Sequence, residues 1–255
     1  MLLNRADIHI HTSYSDGLMT PEAVVEYAAT ATDLKVIAIA DHDTIGGALA
    51  ARRYWGRYQR EFGHLEIIIA SEVTSCDGDI LGLFLRHDVP AGMSAFHTVE
   101  AIHAQGGLAI AVHPYSFLLP GVVNGVKGQI HAVPFDGVET RNGTPTEFLS
   151  NYLTQWRNRC HRALPEVGGS DAHYLPTVGQ TYTLFRGRTA ADFRQALTAG
   201  QVQAAGQVYS PLTLARVAAF TLLGLMPVAQ PSPERSSART RARPAAVHAR
   251  VPVER

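Results

Sequence analysis

The sequence has little of what several large classes of protein require. Two cysteines, Cys76 and Cys160, in 255 residues cannot build a disulfide framework, which fits a reducing compartment. Both read as small, buried apolar residues. Neither sign of charge dominates, since 22 basic residues meet 22 acidic ones. Nothing global therefore favours tight binding to a long nucleic acid, which calls for a basic stripe. No apolar run is long enough to span a bilayer, and the most apolar late stretch, residues 217–226, reads as a packed helix. The opening MLLNRADIHIHT places charge and histidine where a secretory leader would carry its apolar core. The expected location is the cytoplasm, with no membrane association and no obligate protein partner.

What the chain does have is histidine, 12 of them, several at the ends of short apolar runs. Those runs alternate with helical patterns, the mark of a largely parallel α/β architecture. Strands are predicted at residues 7–11, 36–40, 65–70, 80–85, 108–112, 137–140, 166–168 and 181–185. Helices are predicted over 21–31, with Thr20 as N-cap and Pro21 at the first position, and over 45–61. Further helices are expected from Ser94 to Gly106-Gly107, between 146 and 164, and over 190–198. Residues 1–230 are expected to form one domain. From Pro231 onward six arginines and two glutamates lie among Pro, Ser and Ala with almost no large apolar side chain. Such a segment buries too little to offset its ordering entropy and reads as a disordered tail, 231–255.

Five strand ends carry polar clusters. The first holds Asp7, His9 and His11, followed by Asp16; residues two apart on a strand share a side, so His9 and His11 can converge on one ion. The others hold Asp41-His42-Asp43, Glu72, His113, and Asp171 with His173. In barrel-like α/β folds the C-terminal strand ends meet on one rim, where chemistry collects. Imidazole and carboxylate together suit Zn, Mn or Fe. Packing alone explains such a set poorly, because charged side chains are rarely buried unpaired. Asp41 and Asp43 flank His42 and read as groups that orient it, Asp43 alternatively as a helix N-terminal carboxylate. Glu139, Arg141 and Asn142 end a further strand at the same rim, where Arg141 could grip phosphate with its planar fork. His131 reads as a solvated loop residue.

The ordered series ADIHIHTSYSDG, IAIADHDT, ASEVT, AVHPY and GGSDAH resembles the successive motifs of the PHP (polymerase and histidinol phosphatase) family, over roughly residues 5–212. GDILGLFL and GVETRN make it most similar to the family's small stand-alone phosphoesterases. The resemblance implies a distorted (β/α)7 TIM-like barrel that hydrolyses phosphate esters with two or three divalent ions. It implies His9, His11, Glu72 and Asp171 around one ion, and Glu72 bridging to a second ion with His113. Asp16, His42 and His173 would surround a third. Many relatives place histidine where this chain has Asp79, which is a ligand candidate for a hard ion.

The expected reaction is attack on phosphorus by a hydroxide formed from water whose pKa the ions lower. Asp16, His42 and Arg141 are the expected catalytic groups, and nucleotides or short oligonucleotides the expected substrates. No Gly-x-Ser-x-Gly elbow or Cys/His signature indicates a protein nucleophile. Two alternatives stand beside this reading. One is an amidohydrolase-type enzyme, which often bridges its metals with a carboxylated lysine; neither Lys35 nor Lys127 sits at a strand's C-terminal end. The other is a non-catalytic module that keeps the barrel.

Overall fold

The computed structural model describes residues 3–116, 125–161, 163–210, 212, 213 and 215. The tail beyond Pro231 and the apolar stretch 217–226 lie outside the described residues. The strands are β1 (Leu3–Ile10), β2 (Leu34–Ile39), β3 (Glu66–Ser75), β4 (Gly78–Leu83), β5 (Leu108–Ala111), β6 (Gly137–Asn142), β7 (Glu166–Gly169), β8 (Thr181–Arg186) and β9 (Val202–Gly206). The helices are α1 (Pro21–Ala31), α2 (Gly46–Arg57), α3 (Gln59–Phe62), α4 (Ala95–Ala104), α5 (Phe148–Cys160) and α6 (Ala190–Thr198). Local chemistry sets several boundaries. Thr20 caps α1 by accepting from Ala23 N, with Pro21 in the first turn. Thr189 and Asp192 form a reciprocal capping box on α6.

One nine-stranded sheet runs in the order β7-β6-β5-β4-β3-β2-β1-β8-β9. The first three strands are parallel neighbours, as are β5, β6 and β7. The sheet nearly closes as a barrel, because Ile10 at the end of β1 bridges Ala172 just beyond β7 in parallel. The His11 amide also donates to the Ala172 carbonyl at 2.9 Å. This is the distorted TIM-like barrel that the resemblance implied, with β8 laid antiparallel beside the first half of β1 and β9 antiparallel on the outer edge of β8.

Side-chain alternation divides the interior in two. Val36 and Ala38 of β2 and Ile68 and Ala70 of β3 line the barrel with Ile8, Leu81, Ile110 and Val167. The intervening Ile37, Ile39, Ile67 and Ile69 pack against Val24, Val25, Ala48, Ala51, Val99 and Ile102 of the surrounding helices. Strands covered on both faces read as nearly unbroken apolar runs.

The structure adds to or revises the sequence reading at four places. The fourth strand is not parallel to its neighbours: β3 extends to Ser75 and turns tightly into β4, which runs against both β3 and β5. The predicted helix 45–61 breaks at Tyr58 into α2 and α3. The small-residue segment VQAAG, which lacks a β-branched run, pairs along β8 as β9. Both cysteines are exposed, Cys76 because it occupies the β3–β4 turn and Cys160 because it ends α5.

The segment after β1 is held by a buried carboxylate. Asp41 accepts from Thr12 N and Thr12 Oγ1, both at 2.7 Å, and from Ser15 Oγ at 2.8 Å. It therefore anchors the 12–16 turn rather than orienting His42. Gly47 lets α2 approach this carboxylate, since a Cβ there would lie 1.9 Å from Asp41 Oδ2. Replacing Asp41 by Ala should orphan these buried donors at about 1–3 kcal/mol each. The expected outcome is a clear fall in the urea midpoint, and an unchanged midpoint would contradict this role.

Candidate metal centre

Nine side chains expected as ligands meet at one rim: His9, His11, Asp16, His42, Glu72, Asp79, His113, Asp171 and His173. They form overlapping groups whose ligand atoms lie within 4.8 Å of one another, namely His9–His11–Glu72, His9–His113–Asp171, His11–Asp171–His173, His11–Asp16–His42 and Glu72–Asp79–His113.

Glu72 is the hub. Its Oε2 lies 3.2 Å from His9 Nε2, 3.1 Å from His11 Nε2 and 3.6 Å from His42 Nδ1. Its Oε1 lies 2.9 Å from His113 Nε2. The two oxygens thus serve different imidazoles, which is the arrangement a bridging carboxylate needs. Asp171 Oδ1 stands 3.3 Å from His11 Nε2 and 3.7 Å from His9 Nε2. Its Oδ2 is held by Asn142 Nδ2 and Thr144 Oγ1 at 3.1 and 3.3 Å. Asp16, 56% exposed, reaches His173 Nε2 at 3.1 Å and His42 Nε2 at 3.9 Å at the open mouth.

Backbone irregularities aim these groups. A register shift between Asp7 and Ile10 changes the phase of β1, so that His9 and His11 turn to the rim while Ile10 joins the helix-facing core. His113 and Asp171 adopt φ of 27° and 52°, and Asp43, beside His42, 55°. Side chains other than glycine seldom occupy that left-handed region, and such strain collects at functional sites. Because β4 runs backwards, its first residues reach the same rim as the ends of the parallel strands, which is why Asp79 arrives beside Glu72. Gly169 is required by close approach: a Cβ there would stand 2.5 Å from His9 Cβ and 2.8 Å from Glu139 Oε1.

The sequence underrated Glu139. Buried at the rim, it places Oε1 3.1 Å from His9 Nδ1, and its Oε2 accepts from His113 N and Asn142 Nδ2 at 3.0 Å each. It fixes the ring orientation of His9 and leaves Nε2 facing the cluster, the familiar carboxylate–histidine support of a metal ligand. An acid at the end of an apolar strand was the available signal. Arg141 is the opposite case. A register shift between Glu139 and Arg141 lets Glu139 and Asn142 share the rim, and turns Arg141 away to donate to the Gly206 carbonyl at 3.1 Å. The expected phosphate grip is therefore not placed in the cluster. His131 is exposed and packs its ring on that of His161.

The electrostatics are those of a cation site. Burial opposes protonation of His11 and His113, yet hydrogen bonds and the charges of Glu72 and Asp171 prevail, raising the two to about 9 and about 10. Burial likewise opposes charge on Glu72 and Asp171, but the surrounding imidazoles hold both well below the usual carboxylate range. Asp79 differs: burial and then the negative Glu72 push it up to about 8. The donor set fits divalent ions. His11 is buried without a well-directed hydrogen-bond partner on either ring nitrogen, so once deprotonated its Nε2, which faces Glu72 and Asp171, has a lone pair free for a ligand bond.

Comparison with known proteins places the chain among relatives. An uncharacterized protein of Methanocaldococcus jannaschii, MJ1587, is 36% identical over 172 residues, covering 64% of this chain and 94% of that relative. The PHP-associated family profile matches residues 156–202, which include the Gly168–His173 motif. The chain belongs to the PHP family. Among solved structures, a two-domain protein from Bacteroides vulgatus containing a predicted PHP-like metal-dependent phosphoesterase superposes with a TM-score of 0.62 at 19% identity. That match covers 81% of this chain and 65% of the other. The lesion-specific endonuclease PfuEndoQ of Pyrococcus furiosus superposes with a TM-score of 0.56 at 12% identity, covering 85% of this chain and 66% of the other. At such identities these two show a shared PHP fold.

Two outcomes follow. Because Glu72 and Asp171 push His11 and His113 towards the protonated form, a binding cation must compete with protons there. Mn2+ or Zn2+ binding at pH 7 should therefore release protons and weaken as the pH falls; a calorimetric enthalpy that does not vary with the buffer would contradict this. Glu139→Gln should lower metal affinity about 10- to 100-fold without unfolding the chain, measured by competition with a chromophoric chelator.

Proposed function

We propose that this protein is a metal-dependent phosphoesterase, and that His9, His11, Asp16, His42, Glu72, Asp79, His113, Asp171 and His173 hold its two or three divalent ions. The observation that carries the proposal is Glu72, whose two carboxylate oxygens face separate imidazole groups with Asp171 and Asp79 on either side. Ions bound there would lower the pKa of water towards neutrality and neutralise charge on a phosphoryl group.

The chain's own residues supply orientation. Glu139 holds His9, while Asn142 and Thr144 hold Asp171 so that its other oxygen faces His9 and His11. His42, 35% exposed, and Asp16, 56% exposed, stand at the mouth where a phosphate ester would enter, and they are the groups proposed to meet it. No protein nucleophile is required.

The amidohydrolase alternative is less well supported. Lys35 lies near the start of β2, away from the strand's C-terminal end, and Lys127 begins a short 3-10 turn. Glu72, with its two oxygens on different imidazoles, can serve as the bridge instead. A non-catalytic module would not be expected to keep all nine groups.

The open mouth and the absence of net charge favour nucleotides or short oligonucleotides over long polymers, and the fold is shared with an endonuclease. The test is phosphate release from nucleotides, short oligonucleotides and an aryl phosphate with Mn2+ present. Turnover should vanish with a chelator and in His9→Ala and Glu72→Ala proteins whose circular dichroism is native. Full activity of His9→Ala, or hydrolysis of lactones and amides but no phosphate ester, would overturn the proposal.

A further inference from the structure

Helix α5 presents a face that the metal centre leaves unused. Against the barrel it buries the small polar Ser150, Thr154 and Asn158, with Leu153 packed partly against the core, and it turns most of its large side chains outward. Phe148 is 65% exposed, Leu149 65%, Tyr152 71% and Trp156 52%. This inverts the usual amphipathic pattern. Phe148, Tyr152 and Trp156 recur every fourth residue on one face, with about 6 Å of helix axis between successive rings. Arg159, three turns beyond Phe148, extends the same face. Arg157 lies 5.5 Å from the centre of the Trp156 ring, and His161 follows. The helix, FLSNYLTQWRNRC, contains no acidic residue.

The N-terminal end of this stripe is tied to the metal centre. Asn151 exchanges two hydrogen bonds with the Asn142 backbone, at 2.8 and 2.9 Å, and Asn142 donates to Asp171. Thr144, four residues before Phe148, donates to the same carboxylate. The row of rings therefore starts at the rim and runs down the outside of the barrel.

We infer that this face is a stacking track for a single-stranded oligonucleotide whose reacting phosphate ester lies at the metal centre. The inference rests on the phosphoesterase reading. Aromatic side chains stack on any base through its π face, and arginines beside them meet the phosphates. The step between successive rings is close to the length of one nucleotide in an extended strand. Charge complementarity favours a polyanion, because a neutral protein has placed two arginines and no acid on this helix. With three ring positions the track suits a strand of a few nucleotides.

The test uses the full-length protein with Mn2+ and a fluorescein-labelled phosphorothioate strand of ten thymidines, which resists hydrolysis. Binding is read by anisotropy at two salt concentrations. The double variant Tyr152→Ala/Trp156→Ala should weaken binding at least about tenfold, whereas Tyr152→Phe, which keeps the ring, should bind like the parent. Arg159→Gln should reduce the salt dependence. Turnover of an aryl phosphate should be unchanged in all these variants. Unaltered strand affinity in the double variant would overturn the inference, as would an equal loss of aryl phosphate turnover. So would a parent dimer that this double variant dissociates, since the face would then be a contact between copies of the chain. Ring-dependent strand binding without turnover of any phosphate ester would instead overturn the phosphoesterase reading and leave the track standing.

Discussion

Five imidazoles and four carboxylates packed into one rim have no stable arrangement unless cations sit among them. The charge balance around Glu72 is therefore the constraint on which the rest of the structure depends. In the metal-free chain protons fill that need, which is why the buried histidines gain affinity for protons while Glu72 and Asp171 lose it. The raised value of Asp79 belongs to the same balance. It is a further acid beside Glu72, with His113 as its main nearby positive charge, so the ionised form is left short of compensation.

The backbone is bent to serve that balance. Regular strands would send alternate residues to opposite faces, and a strict alternation through β1 and β6 would not place His9, His11, Glu139 and Asn142 together. Register shifts in both strands change the phase where it matters. Left-handed conformations at His113 and Asp171 then turn side chains inward just beyond strand ends. Such strain persists only where the surroundings over-determine it. Here they do: Glu139 accepts the His113 amide, and Asp7 accepts the Ser170 amide beside Asp171.

Rigid support and open access are segregated. The support side, Glu139, Asn142 and Asp41, is buried and fully engaged in hydrogen bonds. The mouth, Asp16, His42 and His173, is partly exposed. Helix α5 is tied to the support side through Asn151 on the Asn142 backbone, and Thr144 before it holds Asp171. A molecule without net charge thus gathers its buried imidazoles and carboxylates in one rim.

The sequence by itself determined which side chains take part, since the strand-end histidines and acids are the groups the fold assembles. It determined most of the strands and helices as well, because apolar periodicity and the Thr20-Pro21 and Ser94 caps are local signals. Only the tertiary structure decided how the groups are aimed. The reversal of β4 brings Asp79 to the rim, and the shift at Thr140 exchanges Arg141 for Asn142. The hydrogen bonds of Glu139 make it the support of His9, and those of Asp41 make it the anchor of the 12–16 turn. Phase shifts, strand direction and hydrogen-bond partners arise from contacts between residues distant in sequence, and no spacing along one strand encodes them.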